Sequence, residues 1–330
     1  MTEQTIDLTV IGGDGIGPEV TESAVRVLEA TEVPLSISRY EAGDVVYERD
    51  GTALPEETLS ATKDADAVLF GAAGETAADV IIRLRQELKT YVNLRPTPLI
   101  PDGDRILLNR EITIVRENTE GLYVGDEQET SPGTISASRK ISREASERIA
   151  RYAFEYASKF GHEKITAVHK ANVLQKSDGL FLECARSVAE DYPQISYDEG
   201  LVDATATRLV MHPDQFDMIL TTNLFGDIIS DLVAGLVGGL GVCPSANIGD
   251  EHALFEPVHG SAPDIAGTNQ ANPTASILCG AMLLRHLDRQ QIADRIISAL
   301  KSVVKSGATT PDMDGSLTTD EMTDRVIEEL

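Results

Sequence analysis

Asn223-Leu224-Phe225-Gly226-Asp227-Ile228-Ile229-Ser230-Asp231 sets two carboxylates four positions apart in an otherwise apolar segment. On a helix, side chains at this spacing share one face. Two like charges on a buried-looking face repel and lose hydration, so they need a neutralising partner, and a divalent cation with oxygen ligands is an economical one. The alternative is a solvated helix face or an N-cap, because charged side chains usually face water. From Ile228 to Leu240 the sequence is apolar nearly all round and rich in glycine, which predicts a buried segment, packed against its twin in a dimer.

Working outward, Leu8 to Ile11 reads as a strand that runs through Gly12-Gly13-Asp14-Gly15-Ile16-Gly17-Pro18 into an amphipathic helix from Glu19 to about Ala30. The glycines at 13, 15 and 17 miss the G-x-G-x-x-G dinucleotide fingerprint by one position, so a standard Rossmann reading is weak. Glycine here permits positive φ and close backbone approach to a ligand or a neighbouring loop. Ala67 to Gly71 reads as a buried strand, followed by a helix from about Ala77 to Tyr91 that Asn93-Leu94-Arg95-Pro96 breaks in a turn. Ile112 to Glu117 is a strand with charges at its exit, where ligand sites of open α/β sheets lie. Gly121 to Ser142 reads as a hairpin arm around Ser131-Pro132-Gly133. A helix from Ser146 to Phe160, a strand from Ile165 to Val168 ended by His169-Lys170-Ala171-Asn172, and a helix from Asp178 to Glu190 follow.

The chain has 330 residues, 42% of them apolar, enough for a sizeable core and for two domains. The start, Met1 to Asp7, is polar and unlike a signal peptide, and no run reaches the roughly 18 apolar residues of a membrane span, so a cytoplasmic protein is expected. Cys184, Cys243 and Cys279 lack metal-ligand spacing and read as reduced core filler. The 54 acids against 28 bases give a net charge of -26, which disfavours nucleic acid and anionic membranes as partners. Only 9 of those bases are Lys, and the acids are spread along the chain, a pattern expected of a halophilic protein whose self-repulsion is screened by salt.

Downstream of the paired aspartates stands Glu256-Pro257-Val258-His259-Gly260-Ser261-Ala262-Pro263-Asp264-Ile265-Ala266-Gly267, ending at Ala271-Asn272-Pro273. Together with Leu84-Arg85-Gln86, Asn93-Leu94-Arg95-Pro96 and Lys170-Ala171-Asn172-Val173, it resembles the β-decarboxylating dehydrogenases, the family of isocitrate and isopropylmalate dehydrogenases. The resemblance runs from Gly13-Asp14-Gly15-Ile16-Gly17-Pro18-Glu19 to Asn272-Pro273-Thr274. It implies an α/β, isopropylmalate/isocitrate dehydrogenase-like two-domain fold with a central mixed sheet. Residues 1–90 plus 238–330 would form a terminal-halves domain carrying the NAD-binding loop, and 91–237 a central domain with the dimer arm and dimer-interface helices.

The same resemblance assigns roles. Arg85, Arg95 and Arg116 match a carboxylate clamp, and guanidinium suits it because it stays charged and grips a carboxylate through two parallel hydrogen bonds. Asp203, Asp227 and Asp231 would hold Mg²⁺ or Mn²⁺, with Asp203 and the base Lys170 reaching across from a second subunit. Tyr123 matches the acid that protonates C3, whereas His169 stands where relatives often have Asp and is assigned no catalytic role. His259, Gly260, Ala262, Asp264, Ile265 and Asn272 match the adenosine loop. A carboxylate at 264 accepts both ribose hydroxyls and repels a 2′-phosphate, which favours NAD over NADP.

Substrate choice would rest on the helix face before Arg85, where Ile81 and Ile82 are apolar, with Val173 beside the substrate from the Lys170 segment. The implied reaction is the NAD- and metal-dependent oxidative decarboxylation of a 2-hydroxy dicarboxylate by a homodimer or higher homo-oligomer with shared active sites. The apolar face favours 3-isopropylmalate, converted to 2-oxo-4-methylpentanoate and CO₂ in leucine biosynthesis. Homoisocitrate, 3-methylmalate, malate or tartrate, and isocitrate are the alternatives within the family, and an inactive nucleotide-binding scaffold the alternative outside it. Ala78 and Asp79, where many isopropylmalate enzymes have Glu at the first position, leave room for a different alkyl group.

Overall fold

Leu8, Thr9, Val10 and Ile11 are all buried, as in a strand covered on both faces, and they lie at the centre of a parallel ladder. The computed structural model describes residues 4–100, 108 and 110–330. Residues 1–3 of the polar start, and 101–107 and 109 of the domain assignment, lie outside the described residues.

In chain order, β1 (Ile6–Gly13), α1 (Gly17–Ala30), β2 (Leu35–Tyr40), α2 (Asp44–Asp50), α3 (Glu56–Asp64), β3 (Ala67–Ala72), a π-helical segment (Ala78–Ile82) and α4 (Arg83–Glu87) open the first of two units. The chain then enters the second unit with β4 (Val92–Thr97), β5 (Ile112–Glu117), β6 (Glu127–Ser131), β7 (Thr134–Ala137), α5 (Arg143–Phe160), β8 (Lys164–His169), α6 (Ser177–Ala189), β9 (Ser196–Leu201), α7 (Val202–Met211), β10 (Met218–Thr221) and α8 (Asn223–Leu236). It returns to the first unit as β11 (Pro244–Ile248), β12 (Ala253–Pro257), α9 (Thr274–His286), α10 (Gln290–Lys305) and α11 (Thr319–Glu328). Described residues of Met1–Thr90, Pro98–Leu107 and Val237–Leu330 cluster as one compact unit, and those of Tyr91–Thr97 and Leu108–Leu236 as the other.

Both units are mixed α/β. In the first, the strands run β2-β1-β3-β12-β11, parallel except for the β11–β12 pair. In the second they run β4-β5-β10-β8-β9, parallel except for the β4–β5 pair. Helices α1 and α9 pack together in the first unit, α5 and α6 in the second. The β6–β7 hairpin is exposed at every residue, with Gly133 at φ 78° in its turn.

The glycines after β1 serve close backbone approach. Gly13 has φ 71°, and a Cβ there would sit 2.0 Å from the Ala72 carbonyl oxygen. Gly15 has φ 58°, and its Cβ would sit 1.9 Å from the Ser261 carbonyl oxygen, which also accepts the Ile16 N–H at 2.8 Å. The neighbour is therefore the 259–272 loop, and the departure from the dinucleotide fingerprint has a steric cause.

Two expectations need correction. The single helix expected over 77–91 is a π-helical turn followed by α4, and it ends at Glu87 because Lys89 takes φ 51°. The expected Pro-terminated turn is instead β4, in which Arg95 faces Ile114 and Pro96 faces Thr113 across an antiparallel pair. Proline is accepted in a strand where the ladder does not call on its N–H. In the single chain α8 turns Ile229 and Val233 to the core and leaves Ile228 59% exposed.

Asp217, just before β10, fastens the second unit's sheet. Its carboxylate accepts the N–H groups of Glu163 (2.7 Å) and Lys164 (3.1 Å), meets His162 Nδ1 at 2.8 Å and pairs with Arg110 at 3.0 Å. Burial pushes its pKa up, but His162 and the two backbone N–H groups outweigh burial and bring it down to about 2. A depressed carboxylate contributes stability above its unfolded value near 3.8 and loses it as pH falls through about 2. The stability gap between wild type and Asp217→Asn in urea should therefore narrow by roughly 2 kcal/mol between pH 5 and pH 2, at about 1.4 kcal/mol per pKa unit. An unchanged gap would show that the charge of Asp217 contributes nothing.

Candidate active site

Arg116 closes β5 and is only 1% exposed, so its guanidinium must be satisfied from within the protein. Helix α8 supplies the partners. Asn223 Oδ1 accepts from Arg116 Nε at 3.0 Å and from Nη2 at 2.7 Å, and Asp227 Oδ1 accepts from Nη1. Arg95 shares the sheet face, because β4 and β5 pair Asn93 with Arg116 and Arg95 with Ile114, and directly opposed residues point the same way. Its Nη1 donates to Ser230 Oγ at 2.7 Å and Asp231 Oδ1 at 3.2 Å, and lies 3.4 Å from Asp227 Oδ1.

Asn223, Gly226, Asp227 and Ser230 thus occupy the i, i+3, i+4, i+7 stripe that usually carries the apolar face of a helix. Here the stripe is a socket for two guanidinium groups. Gly226 makes the approach possible, since a Cβ there would sit 2.6 Å from Arg116 Cγ.

Tyr123 stands in a short 3-10 turn after Gly121, whose φ is 81°. Its hydroxyl donates to Asp227 Oδ2, and Arg116 lies over its ring, 5.0 Å from the centroid. Burial, then the bond to Asp227, raise the phenol's pKa against the opposing pull of Arg116, so the proton stays on the oxygen at neutral pH.

Lys170 follows β8, and its Nζ pairs with Asp203 Oδ1, in the first turn of α7, at 2.7 Å. His169 is buried, and its Nδ1 accepts the Ala171 N–H at 3.0 Å, a turn-shaping bond; burial lowers its pKa and keeps it neutral. Val173 is 67% exposed. Among the described residues no three His, Cys, Asp or Glu side chains are placed to hold one metal ion, so within one chain Asp203 does not join Asp227 and Asp231.

The Asp227–Asp231 pair nevertheless fits a divalent cation. Both are hard carboxylate donors on one turn of α8, and Asp231 is half-exposed. Burial raises the Asp231 pKa, and the charge of Asp227 adds to this against the opposing pull of Arg95 and Arg116.

In the first unit, Arg85 of α4 donates to Glu256 Oε1 at 2.8 Å, and Asn247 Nδ2 meets the same oxygen at 2.6 Å. Ile81, expected beside a substrate, is only 8% exposed and packs with Val80, Leu84 and Leu254. The π-helical turn changes the angular spacing of side chains ahead of Arg85 and leaves Ile82 as the partly exposed apolar residue there.

The 259–272 loop has the features of a nucleotide site. His259 Nε2 is buried with no hydrogen-bond partner among the described residues, while Nδ1 lies 3.0 Å from the Gly260 carbonyl oxygen. Burial lowers its pKa, so a neutral imidazole edge is available to a heteroaromatic base. Gly260 is exposed, Ala262 takes φ 39°, and Asp264 and Ile265 are exposed in a 3-10 turn. Asn272 is used internally: Nδ2 donates to Asp312 at 3.0 Å, and Oδ1 accepts the Thr274 N–H at 3.0 Å where α9 begins.

Sequence reasoning missed Asn223, Arg139, Asp178 and Glu256. Asn223 was legible as the polar residue one turn before Asp227. The other three act through partners distant in sequence.

The sequence matches the family described as isocitrate/isopropylmalate dehydrogenase over residues 7–326. It is 54% identical to 3-isopropylmalate dehydrogenase of Archaeoglobus fulgidus over 97% of this chain and 98% of that one. It is 52% identical to 3-isopropylmalate/3-methylmalate dehydrogenase of Methanocaldococcus jannaschii, over 97% of each. The crystal structure of isocitrate dehydrogenase from Methylococcus capsulatus superposes with a TM-score of 0.95 at 43% identity, covering 98% of this chain and 99% of that one. A guanidinium socket on α8, a protonated phenol and a paired carboxylate thus sit in a chain that belongs to the isocitrate/isopropylmalate dehydrogenase family of β-decarboxylating dehydrogenases.

Proposed function

We propose that the protein is a NAD-dependent 3-isopropylmalate dehydrogenase of leucine biosynthesis, working in the cytoplasm as a homodimer with shared active sites. The observation that carries the reaction type is the cluster of Arg95, Arg116 and Tyr123 on Asp227, with Asp231 beside it. Asp227 and Asp231, with Asp203 of the partner subunit, would hold Mg²⁺ or Mn²⁺. The pairing of Asp203 with Lys170, away from Asp227 and Asp231 of the same chain, supports a site completed by a second copy. In the first unit His259, Asp264 and Ile265 would hold the adenosine of NAD.

A divalent cation held by Asp227 and Asp231 would supply polarisation of the substrate's C2 oxygen, and NAD held by the 259–272 loop would supply the hydride acceptor. The protein's side chains do the rest. Lys170 takes the C2 hydroxyl proton, and Arg95 and Arg116 grip carboxylate oxygens through their forked N–H groups, with Arg85 as a third carboxylate ligand. Once the C3 carboxylate has left as CO₂, Tyr123 delivers its proton to C3. Its raised pKa suits it to hold that proton until then.

Substrate choice is supported by the apolar run Val80-Ile81-Ile82 before Arg85, of which Ile82 is partly exposed, and by the relatives that carry isopropylmalate in their names. A carboxylate set against such a surface loses water and gains no donor, whereas an alkyl group buries apolar area at about 25 cal/mol per Å². 3-Methylmalate is the second reading, favoured by the relative named for both substrates. We read the acid excess as an adaptation to concentrated salt.

Steady-state assays of NADH and CO₂ formation with 3-isopropylmalate, 3-methylmalate, isocitrate, homoisocitrate and malate test this. 3-Isopropylmalate should exceed isocitrate at least about 100-fold in kcat/KM, with 3-methylmalate roughly 10- to 200-fold below it, and NAD should far outperform NADP. Preference for isocitrate, or equal use of both cofactors, would overturn the substrate or cofactor assignment. Dilution from molar into millimolar KCl lengthens screening from about 3 Å towards 30 Å and should unfold or dissociate the protein; unchanged circular dichroism and sedimentation would refute the salt reading.

A further inference from the structure

Asp178 is 0% exposed, a carboxylate buried at the start of α6 and far from the guanidinium socket in sequence. Its Oδ2 accepts the backbone N–H of Lys170 at 2.6 Å, and its Oδ1 accepts from Arg139 Nη1. Arg139 reaches further. Nη1 also donates to Ser177 Oγ at 3.0 Å, Nη2 donates to Thr222 Oγ1 at 3.1 Å, and the guanidinium lies 5.3 Å from the Phe225 ring centroid. Thr222 immediately precedes α8, the helix that carries Asp227 and Asp231, and Phe225 lies in its first turn. Beside Arg139, Lys140 pairs with Gly121 through N–H···O bonds of 2.8 and 3.2 Å, two residues before Tyr123.

One ion pair, with Asp178 fully and Arg139 partly buried, therefore bonds to the Lys170 backbone and to the residue before the metal-ligand helix, and is next in sequence to Lys140, which pairs with Gly121. A buried ion pair is retained where both partners are fully hydrogen-bonded, and its worth is in fixing geometry more than in net stability. Here Asp178 is buried with both oxygens accepting, and the partly buried Arg139 donates to Asp178, Ser177 and Thr222. We propose that Asp178 and Arg139 are positioning residues that fix the Lys170 backbone, through its N–H, against the start of α8 of the same chain, and so set the orientation in which Lys170 is presented to the active site it serves. This rests on the reading of Lys170 as the base. Neither residue touches substrate; their effect is on the orientation of groups that do, to which reaction rates respond steeply.

Asparagine at 178 can present its one oxygen to the Lys170 N–H or to Arg139, and not to both. The test compares wild type, Asp178→Asn, Arg139→Lys and Lys170→Met with NAD, Mg²⁺ and the best acid of the substrate panel, measuring kcat and KM separately. It adds the primary isotope effect with the acid deuterated at C2. Asp178→Asn should lower kcat on the order of 10- to 100-fold with both KM values within about threefold, and should raise the isotope effect on kcat as the chemical step becomes limiting. Arg139→Lys, which keeps the charge beside Asp178 but loses the fork, should lie between it and wild type. Inactive Lys170→Met together with wild-type kcat and isotope effect in the other two variants would overturn the positioning role. Full activity in Lys170→Met would instead overturn the reading of the base.

Discussion

A guanidinium group buried inside a protein has to be met by charge and by hydrogen-bond acceptors, and Arg116 imposes that requirement on everything around it. The residue is held at the exit of β5 by a ladder that pairs it with Asn93. Its acceptors must come from α8, and they must come from one stripe of that helix. Asn223, Gly226 and Asp227 answer the requirement with two acceptors and a missing side chain. The carboxylates that look out of place in an apolar sequence are in place because of the sheet beneath them.

The same constraint orders the chemistry. Asp227 receives Arg116 on one oxygen and the Tyr123 hydroxyl on the other, so the phenol, the guanidinium and the carboxylate are fixed as a unit. Asp231, one turn further on, meets Arg95 but remains half-exposed, with its pKa pushed up by burial and by its neighbour's charge. Two guanidinium groups and two carboxylates thus bring both signs of charge to one turn of α8. On this view the arginines both neutralise the aspartates and serve the substrate.

Much of this was legible in the sequence, for physical reasons that differ by element. The strands β1, β3, β5 and β8 stand out because central strands of parallel sheets are continuous apolar runs, and the hairpin arm because of its Ser-Pro-Gly turn. The segment after β3 misleads because its helix widens to a π turn and stops at Lys89, a left-handed residue that no glycine announces. The helical spacing of Asp227 and Asp231 marks charges in need of positive partners, and sequence could not show that Arg95 and Arg116 are such partners. Arg139 and Asp178 lie 39 positions apart, and nothing local marks them as partners.

The central claim is that Asp231 and Asp227 form the chain's divalent-metal donors on a helix already locked by Arg116. Titration of Mn²⁺ into wild type and Asp231→Asn, followed by electron paramagnetic resonance with 3-isopropylmalate present and absent, tests it most directly. The account predicts one tight site per active site in wild type, tightened by the dicarboxylate, and a loss of at least about tenfold in affinity, or about 1.4 kcal/mol, in the variant with its circular dichroism unchanged. Equal Mn²⁺ affinity in the two proteins would contradict it.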